Sequence, residues 1–185
     1  MIVTARRHLY LAGFMGTGKT ATGLHVADAL RRPFYDLDTV VEQITGRRIP
    51  EVFAIDGEAA FRQRECRALR SIVGASSSVI ALGGGAPTIG AIRALVRESG
   101  RAVLLTADLP SMWSRLRGDE SRPLLEGEDG DRPASLSEFT ARVQPILKAR
   151  EDAYRAIADW TLDTSALTPV EAGRRTAEWW LAQAD

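Results

Sequence analysis

Short apolar runs alternate with longer amphipathic stretches along most of this chain. His8–Ala12 (HLYLA) has the length of a buried strand and is stopped by Gly13. Lys19–Leu30 carries apolar residues at helical spacing, with Leu24, Ala27 and Leu30 on one face, and Pro33 ends it. Phe34–Asp36 predicts a second short strand. Residues 40–46 predict a short helix closed by Gly46, residues 50–55 a further helical turn, and residues 58–73 a longer, arginine-rich helix. A strand over 78–82 (SVIAL) runs into Gly83-Gly84-Gly85, and a helix over 89–98 and a strand over 102–106 (AVLLT) follow. Helices are predicted over 109–117 and 135–158, the second with Ser135 and Ser137 as candidate caps and with Pro145 kinking or breaking it. Trp160–Asp163 reads as a last strand, and a closing helix over 169–184 starts at Pro169.

Strands that alternate with helices imply parallel pairing through crossover connections. The expected fold class is therefore α/β: a three-layer α/β/α arrangement with a central parallel sheet of about five strands, forming one domain over residues 1–185. In such sheets ligands sit outside the carboxyl ends of the strands. Gly13, Asp36, Gly83 and Thr106 all follow strand ends and should gather at one edge. Residues 118–133 (GDESRPLLEGEDGDRP) break the alternation. This stretch is polar, holds three glycines and two prolines, is long for a connection and suggests a mobile lid.

Charge narrows the function classes. The chain has 24 Lys plus Arg against 24 Asp plus Glu, so no global field draws it to nucleic acid or to an acidic membrane. Anion binding must come from local placement, and with lysines only at positions 19 and 148, Lys19 stands out. One cysteine, Cys66, excludes an internal disulfide and a cysteine-based zinc site, and reads as a helix residue packed on the core. His8 and His25 have no metal-ligand spacing. No leader-like run and no stretch of membrane-spanning length are visible, so the expected location is the cytoplasm. No exposed apolar stripe announces an interface, and a monomer is expected.

The sharpest motif is Gly13-Phe14-Met15-Gly16-Thr17-Gly18-Lys19-Thr20, which fits GxxxxGK[ST] between a strand and a helix. Gly13, Gly16 and Gly18 let successive N–H groups turn inward on phosphate oxygens, and the helix adds its positive N-terminal end. Lys19 reaches the β- and γ-phosphates, and Thr20 offers a hydroxyl to Mg²⁺. The loop alone says nucleotide, without separating kinase from hydrolase or switch. Asp36 and Asp38 follow the second strand. If strand geometry persists they face the same side, one holding Mg²⁺ through water and the other accepting a proton from a substrate hydroxyl. Capping of the next helix is the alternative. The three glycines at 83–85 suit a ligand close to the main chain, or a flexible turn. Arg62, Arg64, Arg115, Arg117, Arg122 and Arg150 supply the guanidinium groups that phosphoryl transfer and a substrate carboxylate would use.

Taken together, these segments resemble shikimate kinase. GFMGTGKTATG resembles that family's phosphate loop, FYDLD its aspartate-bearing strand, and TGRRIPEVFAIDGEAAFRQRE the signature in which an arginine follows GE-x-x-F. ALGGGA resembles its triple glycine, SRPLL its lid, and Arg150 to Tyr154 its late R-x-x-x-Y motif. The matches fall in order from Gly13 to Tyr154. The resemblance implies ATP-dependent phosphorylation of the 3-hydroxyl of shikimate, on the route to chorismate and the aromatic amino acids. It implies Gly13, Gly16, Thr17, Gly18, Lys19, Thr20 and Ala21 around ATP, with Arg115 near the adenine and Arg122 brought by the lid onto the transferring phosphate. Thr20 and Asp36 would serve Mg²⁺. Asp38 would bind the substrate hydroxyls and act as base, Arg62 and Arg150 would hold the carboxylate, and Gly83, Gly84 and Gly85 would pass near the ring. Asp38, Lys19 and Arg122 would be the catalytic set. Ala21 departs from the usual second hydroxyl residue, Asp152 from the usual proline, and the lid is acidic at Glu126, Glu128, Asp129 and Asp131. The rivals are a gluconate-like or nucleoside-monophosphate kinase, and a catalytically silent nucleotide-binding relative.

Overall fold

The computed structural model describes residues 8–117, Leu125 and 133–183. Most of the lid stretch, with Arg122 and the four lid acids, lies outside these described residues. Five parallel strands form one sheet: β1 (His8–Ala12), β2 (Phe34–Asp36), β3 (Val79–Ala81), β4 (Gly100–Thr106) and β5 (Trp160–Asp163), in the order β2-β3-β1-β4-β5. Every residue of β1 is buried, as the central position requires, and its side chains alternate between two cores. Leu9 and Leu11 join Val79, Val103 and Leu105 under α1 (Lys19–Leu30) and α7 (Pro169–Leu181). Tyr10 and Ala12 face the other layer, made from α2 (Leu37–Thr45), α3 (Ile49–Val73), α4 (Gly90–Ser99), α5 (Leu109–Leu116) and α6 (Leu136–Ile157). That is the three-layer arrangement the alternating pattern predicts.

Four local expectations are corrected. The buried face of α1 is Thr22, Gly23, Val26 and Ala27, whereas Leu24 is exposed. The face turns because α7 packs against α1 so closely that Gly173 lies over His25. The second helix starts at Leu37 rather than residue 40, so Asp38 is helical and no strand alternation joins it to Asp36. The turn at 50–55 and the helix at 58–73 are one element, α3, broken at Gly57, whose φ of 78° and ψ of 168° are not helical. Helix α6 runs unbroken past Pro145, which leaves the Ala141 carbonyl without its usual partner, and the cap is Ser135 alone, accepting from the Glu138 N–H. Cys66 sits on α3 packed against the core, as anticipated.

The start of β4 shows how tightly the sheet is set. Gly100 pairs with His8, and a Cβ there would run into the His8 carbonyl oxygen and come within 2.7 Å of the Tyr10 ring. Its backbone is extended, so the demand is steric rather than conformational. Gly74, past the end of α3, has φ −71° and no atom closer than 3.6 Å to an added Cβ. Gly100→Ala should lower stability by about 2–3 kcal/mol through overpacking. Gly74→Ala should be neutral or raise it by roughly 0.5 kcal/mol. Urea midpoints of the two variants against the parent check the contrast.

Candidate active site

The carboxyl ends of β1, β2 and β3 bring the predicted residues to one edge. After β1, Gly13, Gly16 and Gly18 have φ of 142°, 77° and 85°, values that other residues rarely adopt, so the loop wraps as the glycine spacing predicts. A Cβ at Gly13 would meet the Leu105 carbonyl oxygen, which ties the loop to β4. Thr17 is buried, and its hydroxyl donates to the Phe14 carbonyl oxygen at 2.8 Å. Lys19 Nζ donates to the carbonyl oxygens of Gly13 and Phe14 at 2.9 Å each, holding the ammonium over the loop. Thr20 and Ala21 open α1, both exposed.

Asp36 ends β2 and serves two partners. Its Oδ1 accepts from the Asp38 N–H at 3.1 Å and caps α2, while its Oδ2 accepts from the Thr20 hydroxyl at 2.6 Å. The capping reading is thus right for Asp36, alongside its link to the phosphate loop. Asp38 does not cap. It points from the first turn of α2 to the main chain of Gly83, where an added Cβ would lie 2.6 Å from Asp38 Oδ1 and 2.6 Å from Glu65 Oε1.

The triple glycine is the meeting point. At Gly85 a Cβ would collide with the Arg62 guanidinium, 2.7 Å from Cζ. At Gly84 the nearest atoms to an added Cβ are Arg150 Nη1, the Gly13 carbonyl oxygen and the Met15 nitrogen, all at 3.9 Å. Side chains of the chain itself therefore crowd Gly83 and Gly85, whereas a Cβ at Gly84 would make only ordinary van der Waals contacts. Arg150 Nη1 donates to the Gly84 carbonyl oxygen at 3.4 Å and its guanidinium lies 5.9 Å from the centre of the Phe14 ring. Tyr154, one turn further along α6, donates to the same carbonyl at 2.7 Å.

Glu65 is the residue the sequence reading left unassigned. It is fully buried, and its Oε2 accepts from Arg62 Nη1 at 2.6 Å. Arg62 also donates to the exposed Glu58, at 3.0 Å through Nη2, and lies over the rings of Phe61 and Phe53. The other Glu65 oxygen, Oε1, has no hydrogen-bond partner among the described residues. Burial pushes the Glu65 carboxyl up to about 7; the Arg62 charge and hydrogen bond oppose this, Asp38 adds to it, and Arg150 opposes it. The only hint in the sequence was a glutamate three positions after Arg62, where an i,i+3 pair can form.

The remaining arginines divide. Arg64 pairs with Asp56 at 2.8 Å, away from the triple glycine, and Arg117 is an exposed residue ending α5. Arg115 braces the phosphate loop from outside. Its Nη1 donates to the Gly16 carbonyl oxygen at 3.0 Å, and its Nη2 to the Thr164 carbonyl oxygen at 2.6 Å. Thr164, also missed from sequence, is buried and donates to the carbonyl oxygens of Thr17 and Thr106. Among the described residues no group of three or more His, Cys, Asp and Glu is placed to hold a metal ion, so a metal here would rest on few protein ligands.

The arrangement joins a phosphate cradle to a cluster of two carboxylates and two guanidinium groups at the triple glycine, chemistry suited to a small polyol acid. Known proteins point the same way. The family model for shikimate kinase matches residues 15–180. Curated shikimate kinases from Geobacter sulfurreducens and Cupriavidus pinatubonensis are 42% and 38% identical, over 86% and 87% of this chain and 82% and 79% of theirs. Among solved structures, the shikimate kinase from Acinetobacter baumannii in complex with shikimate superposes with a TM-score of 0.86 at 31% identity, covering 98% of this chain and 96% of that one. A shikimate kinase from Bacteroides thetaiotaomicron gives 0.81 at 26% identity, over 95% and 97%. A chain whose phosphate loop, triple glycine and paired arginines meet in this way, and which matches that family over most of its length, belongs to the shikimate kinase family.

Proposed function

We propose that this chain transfers the terminal phosphoryl group of ATP to the 3-hydroxyl of shikimate. The observation that carries the reading is the meeting at Gly84, where an added Cβ would lie 3.9 Å both from Arg150 Nη1 and from the phosphate-loop main chain at Gly13 and Met15. Phosphate-binding and acid-binding groups are thereby adjacent, as in-line transfer between two bound substrates requires.

In this reading the N–H groups of residues 13–20 and the ammonium of Lys19 hold the triphosphate, with Gly13, Gly16, Thr17, Gly18 and Ala21 lining it. Arg115 and Thr164 keep the loop in shape from behind, and Arg115 borders the adenine. Thr20 and Asp36 fit a magnesium ion, because a hydroxyl oxygen and a carboxylate oxygen 2.6 Å apart are hard donors at the mouth of the loop. Thr20 would ligate it directly and Asp36 through water, and when bound it neutralises phosphate charge. Arg62 and Arg150 grip the acceptor carboxylate, Gly83, Gly84 and Gly85 lie along its ring, and Asp38 accepts the hydroxyl proton as the oxygen attacks. Arg122, outside the described residues, completes the charge stabilisation from the lid.

Three measurements test this. With ATP supplied, shikimate should be turned over with release of ADP while gluconate and AMP are not. Turnover of gluconate or AMP alone would transfer the assignment to a related kinase, and nucleotide binding without any turnover would make the chain a silent relative. Asp38→Asn should lower kcat about 100-fold or more, the usual size of a general-base effect, with ATP affinity within about twofold. An equal loss of ATP affinity would assign the carboxylate to structure instead. Arg150→Ala should raise the KM for shikimate roughly 10- to 100-fold, the size of a lost charge-assisted hydrogen bond, with the KM for ATP little changed.

A further inference from the structure

Among the described residues four charged groups from three helices surround Glu65. Arg62 and Glu58 come from its own helix α3, Asp38 from α2 and Arg150 from α6, with the Tyr154 hydroxyl also on α6 directed to Gly84. Glu58 is largely exposed and screened by water, so among the described residues the inner set is two guanidinium groups against two carboxylates. This set is balanced before any acceptor enters. An acceptor carboxylate gripped by Arg62 and Arg150 adds a third anion beside the wholly buried Glu65, whose own charge is then the most strongly disfavoured. One anion must then be neutralised. The acceptor acid is ionised well below neutrality, and Asp38 keeps more solvent than Glu65. Glu65 is wholly buried, and its Oε1, without a hydrogen-bond partner among the described residues, can take a proton while Oε2 stays on Arg62.

We propose that the acceptor carboxylate replaces Glu65 as the counter-ion of Arg62, and that Glu65 takes up one proton from solvent at Oε1 as it does so. The step is a proton transfer only: water or buffer gives up the proton on binding and recovers it when the phosphorylated product leaves. This rests on the proposed roles of Arg62 and Arg150 as the carboxylate grip. With the carboxyl of the free protein already raised to about 7, ionised and neutral forms are close in free energy, and a nearby anion is enough to tip it. Affinity for shikimate should accordingly fall as pH rises above about 7, approaching tenfold per pH unit, because binding then requires a proton the free protein does not hold.

Calorimetric titration of shikimate into the full chain without nucleotide, near pH 7.5 in two buffers of different ionisation enthalpy, reads the proton count directly. Uptake of between about half and one proton per shikimate is expected. Glu65→Gln should bind shikimate with uptake reduced towards zero. The carboxamide analogue of shikimate, titrated into the parent, should show no uptake, and this arm stands whether or not the variant folds. Binding of shikimate with no proton uptake, or equal uptake in Glu65→Gln or with the carboxamide, overturns the proton exchange and leaves the kinase assignment standing. No binding of shikimate at all overturns the acceptor assignment, and this inference with it.

Discussion

The site depends on two side chains that are absent. Between β3 and the helical turn that follows, the main chain at Gly83 and Gly85 passes so close to Asp38, Glu65 and Arg62 that even a methyl group at either position would displace them. Removing the Cβ brings a carboxylate pair and a guanidinium group against bare backbone. It lets α2 and α3 reach the sheet edge where the phosphate loop begins. Gly84, between them, has its carbonyl held from α6 by Arg150 and Tyr154. Elements from three parts of the chain are thus registered on one tripeptide, and any shift of that tripeptide moves all of them together.

A second set of contacts keeps the phosphate loop in its wrapped form. A loop with three positive-φ glycines has many alternatives in the unfolded chain, so fixing it needs contacts from outside the motif. They come from the far side of the sheet edge. Thr164, just past β5, bonds the carbonyls of Thr17 and Thr106, and Arg115 spans from Gly16 to Thr164. The outermost strand therefore contributes to nucleotide binding through the shape it imposes on a loop two strands away.

Much of this was legible in the sequence, and all but one of the exceptions share a cause. The five strands, their parallel pairing and the wrapped loop follow from local pattern: the apolar runs at His8–Ala12 and residues 102–106, and the glycine spacing from Gly13 to Gly18. What could not be read locally is what tertiary packing decides. Leu24 has helical spacing, yet α7 takes the neighbouring face of α1. Asp36 and Asp38 are the local exception: they look like a strand pair, yet the capping bond to Asp36, the alternative the sequence also offered, turns the chain into α2 between them. Glu65 is one glutamate in an arginine-rich helix until Asp38 and the glycine turn close over it. Thr164 carries no motif, because its partners lie up to 147 residues away in the chain.

Helix α6 holds one more consequence. Its first turns carry Phe139, packed on Trp113, and Arg142, which donates to the Leu125 carbonyl. Its later turns carry Arg150 and Tyr154. Pro145 lies between these two groups, and the rung it cannot make leaves the rod softest at that point. The guanidinium group that holds Gly84 is thus joined to the Phe139–Trp113 packing across a turn of the helix whose ladder is incomplete.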